Sequence, residues 1–135
     1  MNEDLNTESN FKFIAFSKQG IELLQKLTTK QTTSTKKINK KSSELTSADI
    51  NILLYILNNL TYENTSTIPP QKEICTELNL SQKQVSISIN KLIDKEIIIK
   101  IKPARTYFIS PKYFYLGTDR KNKIIKWKKL IKQNN

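Results

Sequence analysis

Pro69-Pro70-Gln71-Lys72-Glu73-Ile74-Cys75-Thr76-Glu77-Leu78-Asn79-Leu80-Ser81-Gln82-Lys83-Gln84-Val85-Ser86-Ile87-Ser88-Ile89-Asn90-Lys91-Leu92-Ile93-Asp94-Lys95 reads as two short helices joined by a tight turn. Pro70 suits the first turn of a helix, where its missing N–H would have had no intrahelical partner. Ile74, Cys75 and Leu78 then recur at helical spacing. Asn79 tolerates the left-handed backbone that ends a helix, and Leu80 comes next as the apolar plug of the turn. Ser81 is a good N-cap with Gln84 three residues on, so Ser81-Gln82-Lys83-Gln84 predicts a reciprocal capping box. Val85, Ile89, Leu92 and Ile93 make the apolar stripe of the second helix. Its other face carries Gln82, Lys83, Gln84, Ser86, Asn90 and Lys91. A helix-turn-helix offers short polar side chains at the N-terminal end of its second helix to base edges. A plain helical hairpin would show the same stripes and cap, so the flanking sequence carries the argument.

Downstream, Ile97-Ile98-Ile99-Lys100-Ile101-Lys102 is β-branched and ends in period-two alternation. Pro103-Ala104-Arg105 supplies a turn and Thr106-Tyr107-Phe108-Ile109 a return strand. A hairpin directly after a recognition helix is a wing. Lys100, Lys102 and Arg105 sit on or beside its tip, where wings approach a neighbouring minor groove or its phosphates. Pro111 to Gly117 leaves the hairpin as an aromatic-rich segment whose rings are expected to fold over the core. Asp119 to Lys132 predicts a last helix, capped by Asp119, with Ile124, Trp127, Leu130 and Ile131 as a narrow stripe among lysines. Such a helix can dock on its own domain, pair with a partner, contact phosphates or lie on a membrane. Beside a wing, docking by the stripe with long-range attraction to DNA is expected.

Upstream, Leu45 to Leu60 is the first strong helix, capped by Thr46-Ser47-Ala48-Asp49. Ile50, Leu53, Leu54 and Leu57 form its expected buried stripe, widened by Ile56 and Leu60. Thr67-Ile68 predicts a very short strand. Thr28 to Ser43, rich in Thr and Lys with one apolar residue, reads as a basic, flexible linker. Phe11 to Phe16 alternates as a short strand. Ser17 is a cap for the segment after it, where Ile21, Leu23, Leu24 and Leu27 suggest a short helix. Met1 to Asn10 is a polar, acidic tail expected to be disordered. The expected layout is therefore a tail at 1–10, a strand and helix at 11–27, a linker at 28–43, a winged helix at 44–117 and a basic helix at 118–135. The fold class is mainly α with a small β-hairpin, a winged helix-turn-helix.

The whole chain agrees with a polyanionic partner. Its 135 residues carry a formal net charge of +11, which points first to nucleic acid. There is no histidine and one cysteine, Cys75. That excludes Cys/His zinc sites, His-based acid/base chemistry and a disulfide within the chain, and fits a reducing cytoplasm. No apolar run approaches a membrane span. The two glycines, Gly20 and Gly117, form no nucleotide-binding loop. Neither a cofactor nor a catalytic residue is expected. A nicking enzyme could draw on the phenols of Tyr107, Tyr113 and Tyr115, but the paired histidines that hold a metal in such enzymes are missing.

With these residues in place, Phe11 to Gly117 resembles the RepL family of plasmid replication proteins from Firmicutes and similar low-GC bacteria. The resemblance is carried by Phe11-Lys12-Phe13, Leu45-Thr46-Ser47-Ala48-Asp49 and Leu53-Leu54-Tyr55. It continues through Leu80-Ser81 with Val85, and Tyr107-Phe108-Ile109-Ser110-Pro111 with Phe114 and Gly117. The helix-turn-helix is shared with many repressors, whereas Pro-x-x-Phe ending in Gly is unusual after a wing. Ser110 stands where the family typically has Asn, and Thr28 to Ser43 looks like an insertion. The resemblance implies sequence-specific binding of double-stranded DNA at a plasmid origin to initiate replication, with host replication proteins as further partners. A repressor on an operator would use the same fold.

On either reading the helix from Gln82 to Lys95 enters the major groove. Gln82, Gln84 and Asn90 suit adenine edges. Ser86, on the same helix as the N-cap Ser81, allows close approach. Lys83 and Lys91 take phosphates, and Ile87 meets thymine methyls or the core edge. A homodimer on paired half-sites is compatible with such a module. A fold used only for protein contacts would leave the net charge unexplained.

Overall fold

A computed structural model describes residues 14–33 and 45–134, with side chains at 14–25 and 45–133. The expected tail, the first half of the N-terminal strand and linker positions 34–43 lie outside the described residues. Strand β1 (Ile14–Phe16) leads into helix α1 (Lys18–Thr33). Ser17 caps this helix, its Oγ accepting from the Gly20 N–H at 3.0 Å. Helix α1 is longer than expected and enters the stretch read as a linker, because Thr28 to Thr33 holds neither Gly nor Pro to stop it.

Helix α2 (Ser47–Asn58) is capped at Thr46-Ser47-Ala48-Asp49 as expected, and the cap is a full capping box. The Asp49 N–H donates to Thr46 Oγ1 at 3.2 Å and the Thr46 N–H to Asp49 Oδ2 at 2.9 Å. Its buried arc differs from the expected stripe. Leu54 is 45 % exposed, while Ile52 and Asp49 are each 1 % exposed. Asp49 lies on the arc that continues through Ile52, Leu53 and Ile56, so turning its carboxylate inward turns Leu54 out.

Strand β2 (Thr65–Thr67) precedes helices α3 (Gln71–Leu78) and α4 (Gln82–Asp94), then strands β3 (Ile98–Ile101) and β4 (Thr106–Ile109). Asn79 ends α3 in the left-handed region at φ 58°, ψ 48°, and the Leu80 N–H closes the turn on the Cys75 carbonyl at 3.1 Å. Strands β3 and β4 form the expected antiparallel hairpin, with Ile99 opposite Phe108 and Ile101 opposite Thr106. The hairpin does not stand alone. Strand β2, which starts at Thr65 and ends at Thr67 where the sequence suggested Thr67-Ile68, adds to β4 and gives the order β2-β4-β3, with Thr65 opposite Phe108. Strand β5 (Phe114–Leu116) pairs with β1 in a second, two-stranded antiparallel sheet. The described residues thus form five helices and two small antiparallel sheets, a mixed α/β arrangement in place of helices with a single hairpin.

Leu53, Ile56, Ile74, Val85, Leu92, Ile98, Ile109 and Phe114 lie in one core between α2, α3, α4 and the sheet. Asn64, at φ 64° in the turn before β2, fastens the far end of that core. Its Nδ2 donates to the Ile109 carbonyl at 2.9 Å and the Phe114 carbonyl at 3.1 Å, and its Oδ1 accepts from the Leu116 N–H at 3.0 Å. The expected folding of the aromatic segment over the core holds for Phe114, which is buried against Phe16 edge-on at 5.0 Å. Gly20 lets α1 lie on this segment, since a Cβ there would overlap the Tyr113 carbonyl.

The last helix, α5 (Arg120–Asn134), meets the sheet through Trp127, whose ring lies 6.0 Å from that of Phe108. The expected cap at Asp119 forms differently. Asp119 has φ 59°, and its carboxylate accepts from the Asn122 side-chain amide at 2.9 and 3.0 Å.

Candidate nucleic-acid interface

Helix α4 starts where its sequence says it should: the Ser81 hydroxyl accepts from the Gln84 N–H at 3.0 Å. The second half of the expected capping box is replaced by another bond. Gln84 Nε2 donates to Ser88 Oγ at 3.0 Å, so the side chain points along the helix and not back to the cap. Ser88 is fully buried and donates to Asp49 Oδ1 at 2.6 Å. Lys91 Nζ reaches the same carboxylate, 2.8 Å from Oδ2. Burial pushes the Asp49 carboxyl up, but the hydrogen bonds from Lys91, Ser88 and Thr46, with the Lys91 charge, outweigh it and hold the group below the ordinary value.

This network bolts α4 to the first turn of α2 and changes two assignments. Lys91, expected at a phosphate, is engaged with Asp49, with its side chain 24 % exposed. Gln84, expected at a base edge, is half-buried and turned to Ser88. Ser86 is half-buried too, its hydroxyl donating to Gln71 Oε1 at 3.2 Å, which ties the start of α3 to α4. The outward side of α4 is a stripe of Gln82, Lys83, Ile87 and Asn90, all exposed. None of them makes a hydrogen bond or ion pair with another described residue. Ile87, left between core edge and interface by the sequence, is 46 % exposed.

At the hairpin tip Lys100 and Lys102 are exposed. Arg105 is exposed but anchored: its Nε donates to the Ile68 carbonyl at 3.1 Å, and its own carbonyl accepts from the Ile68 N–H at 3.0 Å. Tyr107 is 5 % exposed. Burial pushes its phenol up although the Arg105 charge pulls the other way, which is the wrong direction for a nucleophile.

The sequence marks Asp49 only as a helix cap and does not single out Ser88 or Asn64. Ser88 carries a signal nonetheless, since it sits on the buried arc of Val85, Ile89 and Leu92 and so needs a partner. No such pattern marks Asn64 in the polar loop. Among the described residues no cluster of His, Cys, Asp and Glu could hold a metal ion, and no helix is long and apolar enough to cross a membrane.

A family model described as Firmicute plasmid replication protein (RepL) matches residues 45–135, from the capping segment of α2 through α5. No curated protein and no solved structure matches the chain.

Proposed function

The chain belongs to the RepL family of Firmicute plasmid replication proteins, and we propose that it initiates replication by binding a specific double-stranded site at the plasmid origin through a winged helix. The order α2, β2, α3, α4, β3, β4, with β2 returning to pair with β4, supports that fold assignment. One observation carries the reading: the outward stripe of α4 has polar and apolar groups suited to base edges and no partner among the described residues. Gln82 and Asn90 hydrogen-bond adenine edges, Ile87 packs on thymine methyls, and Lys83 takes a phosphate. Ser81, Ser86 and Gln84 position the helix from its near end. Lys91 holds its far end to Asp49. Lys100 and Lys102 lie along the neighbouring backbone, with Arg105 stiffening the tip.

Nothing in this scheme unwinds DNA, so host replication proteins must do that after the site is marked, and a second copy on a paired half-site would fix the orientation of loading. Family membership favours initiation over simple repression. The test is fluorescence anisotropy with duplexes from the replicon that carries the gene, against scrambled duplexes, across a salt series. Asn90→Ala is expected to weaken the preferred duplex by about 1–3 kcal/mol and the scrambled one very little. Equal binding to every duplex, lost steeply with salt, would sink the reading.

A further inference from the structure

Helix α5 carries seven cations and no acid in its 15 residues, Arg120 to Asn134. Three of the cations are turned to the protein. Arg120 Nε donates to the Pro111 carbonyl at 3.2 Å, Lys123 Nζ to the Thr118 carbonyl at 2.7 Å, and Lys126 Nζ lies 5.4 Å from the centre of the Phe108 ring. The other four, Lys121, Lys128, Lys129 and Lys132, are exposed and make no hydrogen bond or ion pair with any described residue. Helical periodicity puts Lys121, Lys128 and Lys132 on one ridge, within about 40° around the axis. The ridge lies about a quarter turn from Ile124, Trp127 and Ile131. Those three, with Arg120, line the groove facing the body of the protein, and Lys128 stands at its rim. Like charges one turn apart repel each other and weaken a helix. None of the four has a carboxylate within ion-pairing distance among the described residues, although Glu96 lines the same groove as Lys128.

We propose that the Lys121–Lys128–Lys132 ridge of α5 is a second DNA-binding surface, one that grips backbone phosphates and reads no bases. This rests on the DNA-binding reading above and adds a separate surface to it. The ridge is about 16 Å long at 1.5 Å per residue. That length covers about five phosphates of one B-DNA strand at 3.4 Å axial spacing. Three lysines at about 10 and 6 Å along this line are point charges that can each take a phosphate, and they carry no side chain able to discriminate bases. Trp127 on Phe108 joins the helix to strand β4, so the ridge travels with the hairpin that brings Lys100 and Lys102 to DNA. The helix therefore lengthens the footprint beyond α4 and the hairpin and supplies affinity without specificity.

The experiment uses the full chain and a random-sequence duplex of about 30 base pairs, with the slope of log K against log salt as the readout. The triple variant Lys121→Gln, Lys128→Gln, Lys132→Gln changes only exposed side chains, and circular dichroism checks that α5 persists. The expected result is a slope shallower by about 2.7, at 0.9 for each phosphate no longer neutralised. The ratio of affinities for preferred and scrambled duplexes should stay unchanged. A slope equal to that of the wild type overturns the proposal. So does wild-type binding to phosphatidylserine vesicles that the variant loses while its DNA slope is unaltered, which would make the ridge a lipid-binding surface. Asn90→Ala separates the two readings: it lowers site preference by about 5- to 150-fold if α4 reads bases and leaves the random-duplex slope alone whichever way α5 behaves.

Discussion

At the scale of single residues the molecule depends on two buried polar side chains, Asn64 and Asp49. Asn64 satisfies three backbone groups of buried residues, the carbonyls of Ile109 and Phe114 and the N–H of Leu116. Asn64→Ala should therefore destabilise by about 3 kcal/mol or more, since each orphaned buried group costs on the order of 1–3 kcal/mol. A denaturant midpoint that hardly moves would contradict this. Asp49 gives a pH signature. Its folded carboxyl titrates below the ordinary value of 3.8, so folding favours the charged form. The stabilisation is in full force above the unfolded value and is lost as pH falls through the folded one. Asp49→Asn should be less stable than the wild type by about 1–3 kcal/mol at neutral pH and should close that gap as the wild type is acidified below about pH 4. Thermal melts of both proteins between about pH 7 and pH 2.5 check it. The same network predicts that Gln84→Ala acts on the seating of α4 more than on base choice, unlike Asn90→Ala.

At the scale of elements, legibility tracks local chemistry. The ends of α2, α3 and α4 are readable because a cap is a short-range device: Thr46 with Asp49, Asn79 in the left-handed region, Ser81 under the Gln84 N–H. The Gln84 half of the second box departs from its pattern because its partner, Ser88, is supplied with a carboxylate by α2, and that bond spans 39 residues. The same carboxylate also holds Lys91, 42 residues away in sequence. The exposed positions of Gln82, Lys83, Asn90, Lys100 and Lys102 are legible because nothing tertiary competes for these side chains. Leu54 and Ile52 exchange places because periodicity alone fixes a helix stripe only to within its roll about the axis. Trp127 on Phe108 joins α5 to the sheet, so Trp127→Ala should speed tryptic cleavage of this lysine-rich helix while leaving the melting of the core little changed. Unchanged protection would mean the helix is held by something other than Trp127 on Phe108. For the hairpin, Lys100→Gln with Lys102→Gln should flatten the salt dependence by about 1.8, at 0.9 per phosphate. Anisotropy across a salt series would show it.

At the scale of the whole molecule, the proposed scheme distributes a net charge of +11 over surfaces with different tasks. In it a narrow stripe on α4 chooses the site, while the hairpin tip and α5 add attraction that any DNA would feel. Such a division would let a small protein find an origin by sliding and then stop on it. The claim at the centre is that α4 lies in the major groove of one defined site. Analogue interference on the replicon tests it most directly, because 7-deazaadenine removes the adenine N7 acceptor and uracil the thymine methyl, both in the major groove. The account predicts one protected site in which these substitutions weaken binding at the positions α4 covers. Protection spread evenly along the DNA, or a protected site that neither substitution weakens, would contradict it.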